Sequence, residues 1–180
     1  LKRTGTGTIT VGQSGDTISI PSGATLNSAG TNTLSGIANT PMFHAYMSGN
    51  QSISNSSNTK IAFDSERIDT DSAFDTSNYR FTVPSGEAGK YVFTYWGKMG
   101  LDDGKLLQLI LYKNGSELSS EETRANFYSS GSGQQINAIS SFMDTASASD
   151  YYEVYIFQNN GGSVNLLQET TGFMGHKLIG

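Results

Sequence analysis

The chain has 180 residues, a net charge of −5 at neutral pH and no cysteine. The absence of cysteine excludes a disulfide framework, thiolate metal sites and a thiol nucleophile. The negative charge argues against a nucleic-acid surface, which requires clustered Lys and Arg. No apolar run reaches the length of a membrane span, and no signal peptide is recognisable at the start of the sequence.

The residue types predict an all-β chain. Gly, Ser, Thr, Asn, Tyr and Phe dominate, and no segment shows a convincing apolar helical period. This mixture favours strands that are joined by tight polar turns. The length fits one domain, or one domain with an appended segment.

The first 40 residues differ from the rest. Within residues 4–40 the only charged residue is Asp16, and aromatic residues are absent. Short alternating units at residues 8–11, 17–20 and 24–26 are separated by glycine-containing turns, and each has too few apolar positions to bury against itself. Such units become stable when they stack on copies of themselves, so residues 1–40 are predicted to form a Thr/Gly-rich β-stem or attachment segment. A flexible linker is the alternative.

A larger domain is predicted over residues 41–180. Its first half contains predicted strands at residues 42–47, 60–63, 79–83 and 90–99. A polar loop is expected at residues 49–58, an acidic connection at residues 64–75 and a turn at residues 84–89.

The second half continues the same pattern. Strands are predicted at residues 106–113, 134–143, 151–158, 164–167 and 171–179. Asn114-Gly115 is the strongest turn signal in the chain. Residues 117–133 are expected to be long, polar and exposed, with a short helix as the alternative for residues 117–126. Eight to ten strands at this spacing predict a sandwich or jelly roll.

The strand at residues 90–99 is apolar on both faces. Tyr91, Phe93 and Tyr95 lie on one face, and Val92, Thr94 and Trp96 alternate with them on the other. A strand of this kind is expected to pack its own domain on one side and something else on the other.

Eight anchor residues resemble the signature of the C1q-like globular domain, F-x5-[ND]-x4-[FYWL]-x6-F-x5-G-x-Y-x-F-x-[FY]. The anchors in this sequence are Phe63, Asp69, Phe74, Phe81, Gly89, Tyr91, Phe93 and Tyr95. The single departure is a two-residue insertion between Phe81 and Gly89, in a Pro/Gly turn that tolerates insertions. Phe173-Met-Gly175, followed by Leu178-Ile179, is also similar to the terminal strand of that family.

The resemblance implies a ten-strand jelly roll of the C1q and tumour necrosis factor (TNF) type. It also implies a compact threefold homotrimer at the end of a stalk. Because residues 1–40 contain no collagen repeat and the chain has no cysteine, the protein looks more like a bacteriophage virion fibre or appendage than an animal protein. The predicted location is therefore the surface of a virion.

Six residues are predicted to lie in the core or at the trimer contact: Tyr91, Phe93, Tyr95, Phe173, His44 and His176. The two histidines fall in the predicted first and last strands, which neighbour one another in the resembled fold. They are expected to be hydrogen-bonded in or near a subunit contact, and a metal or proton-linked role is the alternative.

No catalytic constellation is convincing, and the sequence predicts a non-enzymatic protein without a cofactor. Calcium is the alternative ligand, with the carboxylates of Asp64, Glu66, Asp69, Asp71 and Asp75. This acidic run does not have the spacing of an EF-hand, so a solvated acidic loop is the preferred interpretation. Asp102-Asp103 is interpreted as a charged turn.

Phe127 and Tyr128 are the candidate recognition residues, because aromatic rings in an exposed loop can stack on a sugar. The leading hypothesis is a trimeric adhesion protein of a phage head or tail. Its knob would bind a host surface glycan or protein or decorate the particle, and its first 40 residues would contact other virion proteins. A secreted or cell-surface protein that recognises glycans or proteins is the alternative. A polysaccharide-degrading spike is a third hypothesis, without an identifiable catalytic pair.

Overall fold

The computed structural model describes residues 17, 19, 21–24, 39–118 and 122–178. The chain divides into two compact units, Leu1–Gly36 and Ile37–Gly180. In the first unit a turn is described at residues 21–24, where the Ala24 N–H donates to the Pro21 carbonyl (3.0 Å). The predicted β-stem otherwise lies outside the described residues, and the predicted boundary at residue 40 stays a prediction.

Within residues 39–118 and 122–178 the chain forms fourteen strands and a short 3-10 helix at Gln168–Thr170. The strands are β1 (Met42–Tyr46), β2 (Gln51–Ile53), β3 (Thr59–Lys60), β4 (Ser65–Asp69), β5 (Phe74–Asp75), β6 (Arg80–Thr82), β7 (Gly89–Leu101), β8 (Leu106–Lys113), β9 (Ser116–Glu117), β10 (Arg124–Tyr128), β11 (Gln134–Ala146), β12 (Tyr151–Gln158), β13 (Val164–Leu166) and β14 (Gly172–Lys177). None of the described residues belongs to a helix that is long and apolar enough to cross a membrane.

The described strands form two main antiparallel sheets that pack as a sandwich. The five-stranded sheet has the order β11-β7-β14-β1-β4. The seven-stranded sheet has the order β10-β8-β12-β6-β5, with β3 paired to β12 and β9 paired to β8. A separate pair joins β13 to β2. The predicted all-β jelly roll is confirmed.

Aromatic side chains fill the space between the sheets. Strand β7 places Tyr91, Phe93 and Tyr95 in this core with no exposed surface, and Phe173 of β14 is equally buried. The ring of Phe43 stacks on Phe81 with 4.6 Å between centroids and meets Phe173 edge-on at 4.8 Å. Burial of each such ring contributes about 1.5–3 kcal/mol to the free energy of folding, which makes this cluster the main support of the fold.

Several predicted elements appear where the sequence placed them. Strands β8 and β12 have the predicted bounds, and Asn114 and Gly115 between β8 and β9 both have positive φ angles (53° and 77°). Such angles are those of the tight hairpin turn that an Asn-Gly pair favours.

Three predicted loops contain strands instead. The polar loop at residues 49–58 includes β2, the acidic connection at residues 64–75 includes β4 and β5, and residues 117–133 include β10. Strand β4 is an edge strand that pairs with β1, and β10 is an edge strand that pairs with β8. Edge strands commonly carry charged residues in place of a regular alternation, so composition alone misassigned them.

Candidate functional site

The outer surface of the five-stranded sheet is unusually apolar. Five large hydrophobic side chains are exposed among the described residues, and four of them belong to this sheet: Ile68 (47%), Ile139 (59%), Met143 (58%) and Met174 (40%). We call this surface the open face. Exposed apolar patches of this kind mark interaction sites more often than bare surface.

Strand register brings these side chains into rows across the open face. Met174 pairs with His44 on one side and Thr94 on the other, and His44 pairs in turn with Ile68. A parallel row joins Met42, His176, Val92 and Met143. Because side chains of paired residues on one face lie next to one another, the rows form one continuous patch.

A third row crosses the sheet at Tyr46, Gly172, Trp96 and Ile139. The indole of Trp96 lies so close to Gly172 that a Cβ atom at residue 172 would be 2.3 Å from its Cζ2 atom. Glycine therefore allows the indole to lie against the backbone of β14.

Depressions interrupt this apolar surface. One has a volume of about 190 Å³ and is bordered by Met42, His44, Ile68, Met174 and His176, among others. A second, of about 300 Å³, lies between Trp96, Ile139 and Met174. A third, of about 540 Å³, lies at the end of the sheet near Tyr46 and Trp96. A surface with such hollows can receive the side chains of a partner.

The two histidines lie on the open face but in different rows. His44 meets the Trp96 ring edge-on, with 5.6 Å between centroids. Burial lowers the pKa of His44, and the nearby Arg67 guanidinium lowers it further. His44 therefore favours the neutral form, which suits a surface that becomes covered by apolar side chains.

The four aromatic candidates lie on the other side of the same strands, in the core. The Tyr91 hydroxyl donates to the Glu87 carbonyl (2.6 Å), and burial together with the Glu87 and Asp71 carboxylates raises the pKa of Tyr91 to about 12. The Tyr95 hydroxyl donates to the Thr123 carbonyl at 2.6 Å. Phe93 and Phe173 have no exposed surface. These four side chains pack on the core side of β7 and β14. The residues that alternate with them along the two strands point outward and belong to the open face.

Phe127 and Tyr128 lie on strand β10 and point in opposite directions. Phe127 is partly buried and packs against the core, whereas Tyr128 is 67% exposed. Only Tyr128 of this pair presents its ring to solvent, and it does so from the seven-stranded sheet.

Three of the five acidic residues of the calcium hypothesis accept hydrogen bonds from nearby backbone and side-chain groups of this chain. Asp64 accepts from the Ser48 N–H and hydroxyl (2.7 and 2.6 Å), and Asp69 accepts from the N–H groups of Ala73 and Phe74. Asp75 accepts from Ser77 and Asn78. Over the part of the chain that the structure describes, no three His, Cys, Asp or Glu residues are grouped as metal ligands.

Most of the open face lies outside the predicted site residues. Ile68, Ile139, Met143 and Met174 are not among them, although Val92, Thr94 and Trp96 form the predicted second face of β7. The signal was present in residues 134–143, where Ile139 and Met143 alternate with the inward Ile136, Ala138 and Phe142.

The architecture is shared with known structures. The globular domain of zebrafish complement 1qA protein is 16% identical, with a TM-score of 0.54, 78% of this chain covered and 98% of that chain. Eiger TNF from S. frugiperda is 14% identical (TM-score 0.54; 77% and 90% covered), and murine APRIL is 13% identical (TM-score 0.55; 76% and 98% covered). The sequence matches no protein-family model and no curated protein. At these identities the likeness shows the fold, which is that of C1q and TNF-type globular domains.

Proposed function

We propose that residues 41–180 form the head of a non-enzymatic homotrimer that recognises a molecule on a host surface. The apolar open face is the observation that carries the proposal, because it leaves four large hydrophobic side chains in water. The resemblance to C1q and TNF-type domains supports the threefold arrangement.

Self-association through the open face has a clear physical reason. A stable interface buries about 800 Å² on each partner, and its centre is apolar. The rows through Met174 and Val92 supply such a centre, and hollows beside them can receive side chains of a neighbouring copy. The neutral state that His44 favours lowers the cost of covering it.

Light scattering on the full chain at micromolar concentration tests the oligomeric state. We expect a trimer, and a monomer would contradict the proposal. The double variant Ile139→Glu with Met174→Glu places two carboxylates in one hollow of the open face. It is expected to dissociate the trimer, because buried unpaired charges are strongly unfavourable.

The matched control is Tyr128→Glu, which changes an even more exposed apolar side chain on the seven-stranded sheet. This variant is expected to remain trimeric. Dissociation by the control together with an intact trimer in the double variant would place the contact elsewhere.

The second part of the proposal is that the protein lies on the surface of a virion. It is supported by the Thr/Gly-rich composition of residues 1–40 and by the absence of cysteine and of a collagen repeat. In this proposal residues 1–40 contact other virion proteins and the head faces the host. Mass spectrometry of purified particles is the direct measurement. Absence of the chain from the particles would overturn this part and leave the secreted or cell-surface hypothesis.

A further inference from the structure

Both histidines of the chain lie on the open face. His44 of β1 and His176 of β14 are the only two in the sequence, and both are partly buried. They border the same hollow of about 190 Å³, together with the exposed side chains of Ile68 and Met174. The proposed trimer contact covers this hollow, so the protonation states of the two imidazoles affect the free energy of assembly.

The groups around His44 offer little compensation for a positive charge. The residues that pair with it on the neighbouring strands are apolar, and the Trp96 ring meets it edge-on at 5.6 Å. The Arg67 guanidinium on β4 is a like charge. Glu169 of the 3-10 helix borders the same larger depression as His44, but burial and Arg67 together keep the pKa of His44 below its ordinary value. The surroundings of His44 therefore favour the neutral ring.

His176 also lies between apolar neighbours. It pairs with Met42 on one side and with Val92 on the other. Asp71 follows β4, and its carboxylate accepts from the Thr70 hydroxyl (2.7 Å), which in turn accepts from the Met42 N–H (3.0 Å). Asp71 is thus already bonded within its own loop, and none of the described acidic residues forms an ion pair with His176.

The charged side chains at the outward positions of the open face are all basic. On β1, β7, β11 and β14 these positions include Lys90 and Lys98 but no Asp or Glu, since Asp144 of β11 points to the core side. At the end of β14 the Glu87 carboxylate is engaged by Lys177 at 3.0 Å. Among the described residues neither imidazole has a hydrogen-bond or ion-pair partner. A proton added to either ring therefore increases the positive charge of a surface without carboxylates.

We infer that the trimer contact is acid-sensitive, because protonation of His44 and His176 weakens it. This step rests on the proposed assembly and names its regulation. A charged imidazole that is covered by apolar side chains of a neighbouring copy loses its hydration and gains no counter-ion. Threefold symmetry repeats this cost in every copy. Assembly is therefore favoured at a pH above the pKa of a histidine in the separate chain, and it is lost as the pH falls through the lower pKa of the covered ring.

Sedimentation velocity of the full chain over a dilution series gives the concentration at which half of the trimer dissociates. We expect this concentration to rise about tenfold or more between about pH 8 and about pH 5, because each covered histidine costs up to about tenfold per pH unit below its ordinary pKa. An equal concentration at the two pH values would overturn the inference.

Circular dichroism of the same samples distinguishes dissociation from acid unfolding. The strand spectrum should persist at about pH 5, and the trimer should form again when the sample returns to about pH 8. Loss of the strand spectrum together with the trimer would mean that acid unfolds the head, and this result would also overturn the inference.

The double variant His44→Gln, His176→Gln tests the residues. Glutamine does not titrate, and the variant keeps every carboxylate of the chain, so any remaining pH dependence comes from other groups. Its half-dissociation concentration should change less than about threefold between the same pH values, and each single variant should lie between it and the wild type. A double variant with the full pH dependence of the wild type would overturn the assignment to the histidines.

Proton uptake by the wild type provides a test without any substitution. Dilution calorimetry at about pH 6, in two buffers with different heats of ionisation, counts the protons that the copies bind when they separate. We expect a net uptake, and no uptake would overturn the inference.

These measurements separate this inference from the proposed assembly. A monomer at every pH and concentration overturns the proposed trimer and the inference with it. A trimer that is equally stable at both pH values overturns the inference alone and leaves the trimer intact.

Discussion

The outer surfaces of the two sheets differ in how many of their side chains form hydrogen bonds, ion pairs or ring contacts within the chain. On the seven-stranded sheet Lys60 pairs with Glu153 (2.8 Å), Gln108 donates to Asn126 (2.7 Å) and the Tyr112 and Tyr155 rings stack 3.9 Å apart. Arg124 forms a two-pronged ion pair with Glu117 across the same surface. On the open face the Thr94 and Ser141 hydroxyls share a hydrogen bond (2.7 Å), but Ile68, Ile139, Met143 and Met174 are apolar side chains exposed to water.

This difference shows which surface needs no partner chain to cover apolar side chains. Side chains on the seven-stranded sheet form their hydrogen bonds and ion pairs within one chain, so this surface is stable in water. The open face leaves large apolar area exposed, and covering such area contributes about 25 cal/mol for each Å² removed from water. A partner therefore gains more on the open face than on the other sheet.

The largest loss of stability is expected when the Lys60–Glu153 ion pair of the seven-stranded sheet is broken. Lys60→Met should lower the free energy of unfolding by about 2–3 kcal/mol, because it leaves the buried Glu153 carboxylate without its cation. Lys60 also donates to the Asn78 carbonyl, which loses that donor. Chemical denaturation measures the loss.

The matched control for this change is Lys177→Met. Lys177 pairs with Glu87, whose side chain is 34% exposed, against 6% for Glu153. An exposed pair contributes about 0–1 kcal/mol, so the control should lose far less stability. Equal losses in both variants would show that the ion pair on the seven-stranded sheet has no special role.

A smaller effect is expected on the open face from Gly172→Ala. The added Cβ atom would overlap the Trp96 indole, so the ring must move and stability should fall by about 1–3 kcal/mol. The displaced indole should also shift the tryptophan emission. Gly162→Ala is the control, because nothing lies within 4 Å of its Cβ position. An unchanged emission spectrum in Gly172→Ala would contradict the packing of Trp96 on β14.

The sequence predicted the fold best where strands alternate clearly. Strand β7 alternates over its whole length, and both of its faces were recognised from Tyr91, Phe93 and Tyr95 on one side and Val92, Thr94 and Trp96 on the other. Strand β4 was missed because Glu66 and Arg67 interrupt any alternation, and its pairing with β1 depends on the approach of a distant segment.

The depression of about 540 Å³ near Tyr46 and Trp96 could not be predicted for a related reason. Tyr46, Arg67, Trp96 and Glu169 come from four separate elements, and a bulge places one of them. No spacing in the sequence joins these positions, since each approach is fixed by sheet register. Motifs within one strand are visible in a sequence, whereas sites assembled across strands require the structure.

The smallest expected effect concerns pH and His44. Burial and Arg67 hold the folded-state pKa of His44 below its ordinary value of 6.5. The unfolded chain therefore binds a proton more readily, so stability is highest above that value and is lost as the pH falls from there through the lowered folded-state pKa. The groups around the imidazole are Arg67 on β4, Trp96 on β7 and, across a shared hollow, His176 on β14.

Denaturation midpoints at about pH 8 and about pH 5 should differ less in His44→Gln than in the wild type, because glutamine does not titrate in this range. If the midpoints of wild type and His44→Gln differ by the same amount between the two pH values, His44 has no role in the pH dependence. A larger pH dependence in the assembled wild type than in the Ile139→Glu, Met174→Glu variant would show that covering the open face disfavours protonation of His44.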